Sequence, residues 1–247
     1  MTQNAPKILV WDWAIRGFHL LFAGCITMAL GIALLGGEHS RWFGWHMVFG
    51  IAAGFLLLVR VVLFAVGSRH VRIGALVAAL RNLPAFVSGL LGKSDKPTAG
   101  HNPLAWLVYL AMFGLLALTV LTGLNADKEW AEEIHPVFAW GLLATIVGHL
   151  AGIALHTVRH REAVALSMVT GRKRGPADEA LASARPLGGL VLLGVCGLFI
   201  GQLFASYNGA AGEVRIPWIG TRVTLGEGEE DEHEEHGRRH HDDDDDD

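Results

Sequence analysis

Cysteine is almost absent from this chain of 247 residues: there are two, Cys25 and Cys196, and both fall inside long apolar runs. That removes a disulfide framework, and because neither lies in a CxxCH motif it also removes covalent c-type haem. The two read as small apolar packing residues. No phosphate-cradling glycine loop, dinucleotide fingerprint or hydrolytic constellation occurs. Nothing repeats at a fixed period. Charged residues are scarce, 18% against 51% hydrophobic, and nucleic acid is not an expected partner.

What the chain does have is five apolar runs, roughly Ala14 to Leu35, Trp45 to Val66, Pro103 to Leu124, Ile134 to Val158 and Leu187 to Ser206. Each approaches the ~20 residues that cross a bilayer core of about 30 Å. Thirty-one glycines scattered through the chain suit membrane helices better than a soluble core. The expected fold is therefore an all-α integral membrane protein with five transmembrane helices. The first run holds Arg16 and His19, is long enough to span and has no small-residue cleavage site after it, so it reads as a retained helix.

Charge sets the expected orientation. Arg69, Arg72, Arg81, Lys93 and Lys96 lie in the 67–102 connection, and Arg159, Arg161, Arg172, Lys173, Arg174 and Arg185 in the 159–186 connection. Both belong on the cytoplasmic side. The other two connections carry Arg41 alone, and Lys128 among Asp127, Glu129, Glu132 and Glu133. The N-terminus is then inside and the C-terminus outside. From Tyr207 onward fourteen acidic residues face four basic ones, a net −10, so the preceding 206 residues are net +6. The stretch from Glu227 to Asp247 lacks apolar periodicity and is expected to be disordered. Its His233, His236, His240 and His241 read as solvated rather than as a metal site, and an acidic arm there suits electrostatic steering of a basic partner.

Within the spans the informative residues are histidines. His135 and His149 are fourteen residues apart in one run, which at ~3.6 residues per turn and ~1.5 Å per residue puts them on nearly one helix face, about 21 Å apart. His19 lies near the inner end of the first helix and His46 near the outer end of the second. Depth therefore pairs His46 with His135 outside and His19 with His149 inside. Two such pairs suit two b haems stacked across the membrane, each iron held by two imidazoles with no position open to oxygen. A lone membrane histidine is more often an interhelical hydrogen-bond partner, but four at matched depths are not ordinary packing. His156, seven residues after His149 and close to the same face, is the competing inner ligand, although Thr157 to His160 already mark the helix exit. His39, His70, His101 and His160 read as loop or interface residues.

Arg16, one turn before His19, is placed to fork onto haem propionates or to snorkel to headgroups. Arg60, deep in the second run, has the same two readings. Most of the tryptophans fall at the interfaces expected of aromatic belts. Between Val71 and Leu91, apolar residues recur at helical spacing with Arg72 and Arg81 outside the stripe, the pattern of a surface amphipathic segment interrupted at Pro84.

The run Lys7-Ile8-Leu9-Val10-Trp11-Asp12, then Arg16-Gly17-Phe18-His19, His46, the pair His135 and His149, and the stretch from His160-Arg161-Glu162 to Met168-Val169-Thr170-Gly171-Arg172-Lys173 strongly resemble the bacterial cytochrome b561 family. That family includes the membrane cytochrome b subunits of nickel-iron hydrogenases. The resemblance covers about residues 7 to 174. It implies a four-helix bundle holding two b haems, ligand roles for His19, His46, His135 and His149, and preference for His149 over His156. It implies electron exchange between membrane quinone or quinol and a redox partner or small oxidant, as in respiratory chains of the bacterial inner membrane. The fifth helix and the acidic tail depart from the family pattern.

These readings divide the chain into a dihaem transmembrane domain (1–174), a linker with the fifth helix (175–206) and a periplasmic acidic, His-rich tail (207–247). The expected function is quinone-linked oxidoreduction with a periplasmic redox protein, such as a c-type cytochrome, as partner. The alternatives are a membrane-anchor subunit of a larger enzyme such as a hydrogenase, a superoxide:quinone oxidoreductase, and a transporter without haem.

Overall fold

A computed structural model describes residues 6–36, 42–91, 100 and 102–224. A short strand β1 (Lys7–Leu9) leads into α1 (Trp13–Gly36) and α2 (Phe43–Val66). Two short helices follow, α3 (Ile73–Arg81) and α4 (Leu83–Leu91), then the long α5 (Pro103–Gly123) and α6 (Glu129–His160). After the single turn α7 (Ser167–Thr170) and strand β2 (Arg172–Arg174) come α8 (Pro186–Ala205) and a closing pair of strands, β3 (Glu213–Arg215) and β4 (Arg222–Thr224). Five helices, α1, α2, α5, α6 and α8, are long and apolar enough to cross a membrane. The fold class read from the sequence is the one observed.

The apolar runs become helices with nearly the boundaries the sequence suggests, because a bilayer offers the backbone no other way to satisfy its hydrogen bonds. The exception is α6. It starts at Glu129, so the acidic residues assigned to a loop form its first turns, with Glu129 and Glu132 at the positive end of the helix dipole. The surface segment breaks at Asn82 rather than at Pro84. Pro84 sits in the first turn of α4, where a missing N–H costs nothing.

Packing builds two pairs and a brace. α1 lies along α2, α5 lies along α6, α2 bridges to α5, and α8 packs on α1 and more lightly on α2. The core runs through α1, α2 and α8, with Phe18, Phe22, Ala52, Leu56, Cys196 and Phe199 buried. Both cysteines are buried and free, as packing residues should be. α6 is the least buried of the five spans; its principal neighbour is α5, and only Ala131 and Leu142 are buried on it.

The end of the bundle where α1 begins and α6 finishes is tied by backbone pairing. β1 runs antiparallel to β2 in the register Lys7 to Arg174 and Leu9 to Arg172. Trp11 Nε1 donates to Ser167 Oγ at 3.1 Å, and Asp12 Oδ1 caps α1 by accepting from the Ile15 N–H at 2.9 Å. His70, read as an ordinary loop residue, is buried and donates from Nε2 to the Glu179 carbonyl at 2.8 Å. Burial pushes the Lys173 ammonium down from its ordinary value, with Glu162 and Glu179 pulling it back up. Residues 207–224 are ordered into the β3–β4 hairpin. The expected disorder of the acidic run from Glu227 lies outside the described residues, as do His39 and His101.

Candidate functional site

Across the α5–α6 hairpin, Thr122 near the end of α5 meets His135 in the second turn of α6. The His135 Nδ1–H is thereby directed at Thr122 Oγ1, 3.1 Å away, and the Thr119 carbonyl also accepts from the ring. The Thr122 hydroxyl in turn donates to the Leu118 carbonyl at 2.8 Å. On α2, His46 donates from Nδ1 to the Ala29 carbonyl of α1 at 2.8 Å and stacks on Phe43 at 5.3 Å. In both residues Nδ1 is occupied, which fixes the tautomer and leaves Nε2 basic.

These two rings meet. Their centroids are 6.2 Å apart with planes at 84°. Two imidazoles on opposite sides of one metal ion, each bonded at about 2 Å with its ring centre about 1 Å beyond, stand about 6 Å apart. Gly123 makes room on the α5 side, because a Cβ there would stand 3.1 Å from His135 Cε1.

Fourteen residues further along α6, His149 lies within electrostatic range of His19 on α1. His19 Nδ1 is buried and has no hydrogen-bond partner among the described residues. Leaving such a nitrogen unmatched costs about 1–3 kcal/mol, so the pair fits a group that supplies its own bond. Leu142, buried on the same face of α6, separates the two levels. His156 Nε2 is also buried without a hydrogen-bond partner among the described residues, but it lies toward Glu162. Its Nε2 lies 3.8 Å from Glu162 Oε2, and Glu162 Oε1 accepts from the Arg174 N–H at 2.7 Å.

The two arginines separate. Arg16 donates to the Met168 carbonyl at 3.4 Å and to the Val169 carbonyl, and its guanidinium lies over the Trp13 ring at 4.2 Å. It ties α1 to α7. Arg60 is completely buried. Its Nε donates to the Tyr109 hydroxyl and its Nη2 to the Val71 carbonyl at 3.3 Å, with the Phe64 ring 4.0 Å away. Its Nη1 has no hydrogen-bond partner among the described residues.

Sequence reasoning did not reach Thr119, Thr122, Tyr109 or the Ala29 carbonyl. None of them had a local signal in the sequence. No group of three or more metal-ligating side chains occurs among the described residues, and the tail histidines lie outside them. The family model of prokaryotic cytochrome b561 matches residues 10–171. No curated protein and no solved structure matches the chain.

Proposed function

The chain belongs to the prokaryotic cytochrome b561 family, and from that premise we propose that it holds two b haems and passes electrons between membrane quinone and a redox protein at the acidic face. Family membership itself makes it a multi-pass membrane cytochrome b that binds haem b and transfers electrons. The observation that carries the dihaem reading is the His46–His135 pair at 6.2 Å with both Nδ1 atoms held. When bound, b haem supplies one-electron redox chemistry at an iron closed to external ligands.

The chain's own residues do the rest. Thr122 and the Ala29 carbonyl orient the outer imidazoles, and His19 and His149 form the inner pair. Arg60 supplies a buried positive charge at the inner level. Arg16 holds α1 in rotation, which keeps His19 facing α6, and it borders the inner level where a propionate would be received. Purified protein is expected to show a reduced-minus-oxidised b-type spectrum with two haems per chain. A chain without a b-type signal would end this reading, and one haem per chain would end its dihaem part.

Orientation follows the basic residues at the β1–β2 end, which belong on the cytoplasmic side of a bacterial inner membrane. The acidic start of α6, with Glu129, Glu132 and Glu133 exposed, then faces the periplasm beside His135. That charge suits a basic redox protein and repels superoxide. Deleting residues 227–247 should leave haem content unchanged and slow electron transfer to a basic c-type cytochrome at low ionic strength, where unscreened charge steers encounter. A stopped-flow rate that does not change would remove the docking role.

The quinone end finds support in a cleft of about 270 Å³ between the start of α1, the end of α2 and the start of α8. Its walls are apolar and its polar groups are Asp12, Ser68 and Arg185. Ser68 Oγ is buried without a partner among the described residues. Ile15, in the same wall, precedes His19 by one turn, about 6 Å of rise. Ile15→Trp, which fills the cleft, should slow reduction by quinol several-fold and leave reduction by dithionite unaffected. Equal slowing of both reductions would point to damaged haem binding instead.

A further inference from the structure

The β3–β4 hairpin follows α8. We propose that its tip, Ile216 to Gly220, is inserted into the acyl region of the leaflet at the C-terminal end of α8.

The tip reads Ile-Pro-Trp-Ile-Gly and carries no charge. Its root is fixed at the end of α8, where Ser206 Oγ donates to the Arg215 carbonyl at 2.8 Å and accepts from the Arg215 N–H at 3.3 Å. From there the chain turns back along the bundle. The Trp218 ring lies 5.1 Å from Phe199 and 5.6 Å from Phe55, and those two rings stack on each other at 3.7 Å. Phe199 is six residues inside the end of α8, about 9 Å, and Phe55 is twelve residues inside the start of α2, about 18 Å. Trp218 is therefore held below the helix ends, at a depth where α8 is passing through hydrocarbon.

Backbone outside a helix survives at such depth only if its polar groups are satisfied internally. The hairpin meets part of that demand. β3 and β4 pair from Glu213–Thr224 to Arg215–Arg222. Within the tip, the Ile216 N–H donates to the Thr221 carbonyl at 2.8 Å, Ile219 to Pro217 at 2.8 Å and Gly220 to Ile216 at 2.9 Å. Pro217 has no N–H to satisfy. Gly220 takes the left-handed conformation this tight return requires, with φ at 79°.

Only one side of the tip is packed. Val214 and Pro217 are buried, whereas Trp218 is 59% and Ile219 76% exposed. The surface beside them is equally apolar, with Leu58 on α2 and Leu198 on α8 also exposed. The bare face of the hairpin thus continues the lipid-facing surface of the spans, which selects acyl chains as its occupant. The arrangement also roots the acidic arm. Thr224 returns to Glu213, which pairs with Asn208 just past α8. The neighbouring Tyr207 covers Gly44, two residues before His46, so closely that a Cβ there would overlap its hydroxyl. The acidic run begins at Glu227, three residues from this anchored base.

The test is spin labelling of the full-length, haem-loaded Ile219→Cys protein in phosphatidylcholine–phosphatidylglycerol nanodiscs. Ala210→Cys in the exposed loop serves as the aqueous control and the wild type as the blank for buried Cys25 and Cys196. Power saturation should show oxygen collisions several-fold above those with a water-soluble nickel complex at position 219, and the reverse at 210. Nickel access at 219 equal to that at 210 would overturn insertion. Exclusion of both relaxants would overturn lipid as the occupant and show that protein covers the tip. Trp218→Phe, read independently by brominated-lipid quenching, should remove a quenchable share of tryptophan fluorescence; an unchanged quenched fraction also overturns the proposal.

Discussion

Replacing His149 by alanine is expected to cost the protein roughly half of its haem, and replacing His135 the other half, because a bis-imidazole site that loses one of its two axial bonds no longer holds haem b firmly. The two losses should be spectrally distinct, since the sites differ in surroundings. His135 is oriented by Thr122 and lies near the acidic start of α6, whereas His149 lies within electrostatic range of His19, with a buried arginine in the same half of the bundle. The fold should survive both changes, because α6 rests mainly on α5 and only Ala131 and Leu142 are buried on it. Pyridine haemochrome quantitation against protein mass checks the stoichiometry. His156→Ala is the decisive companion. With His156 turned to Glu162, it should keep both haems. If His156→Ala lost one haem and His149→Ala kept two, the inner pair would be His19 with His156.

Arg60→Gln is expected to lower the midpoint potential of the inner haem by about 70 mV and leave the outer one nearly unchanged. Arg60 is fourteen residues beyond His46 on α2, as His149 is beyond His135 on α6, so it lies at the inner level. A charge inside a span is retained only where it is paired or used. The hydroxyl of Tyr109, the Val71 carbonyl and three aromatic rings hold this one, with no carboxylate paired to it among the described residues, and Nη1 remains to receive an anionic group such as a propionate. A positive charge favours the reduced, less positive state. At about 10 Å and an effective dielectric near 20 its contribution is about 1.7 kcal/mol, which corresponds to about 70 mV for one electron. Arg60→Lys should recover most of the shift. Redox titration of protein with full haem content is the measurement, and two unchanged midpoints would remove Arg60 from the inner site.

The His46–His135 pair offers a contrast in how a site is read. His46 and His135 are legible as a pair because helix periodicity and span direction give each a depth, and depth is a one-dimensional property of the sequence. Thr122 is not legible from spacing, because it ends α5 while His135 lies in the second turn of α6. The Ala29 carbonyl is not legible at all, since every residue has a carbonyl and only the crossing of α1 and α2 selects this one. Arg16 and Arg60 illustrate the same limit. Both look like arginines placed for propionates, yet Arg16 is drawn to the carbonyls ending α7 while Arg60 is enclosed by aromatic residues of α2 and α5.

The C-terminal segment divides in the same way. Its charge made residues 207–247 look like one external tail, because composition averages over a window and five apolar residues are diluted by the acids that follow. The contacts of Trp218 with Phe55 and Phe199 join positions far apart in the chain, and no local pattern encodes them.

By itself the sequence determined five spans and their order, the position of each histidine along its span and the charge of each connection, since the bilayer imposes a single axis and run length reports position along it. Tertiary structure alone decided which nitrogen each outer imidazole presents, which arginine is buried, where His156 turns and where the hairpin lies. Those outcomes depend on rotation about the helix axes and on which helices touch, quantities that packing sets and hydropathy does not contain.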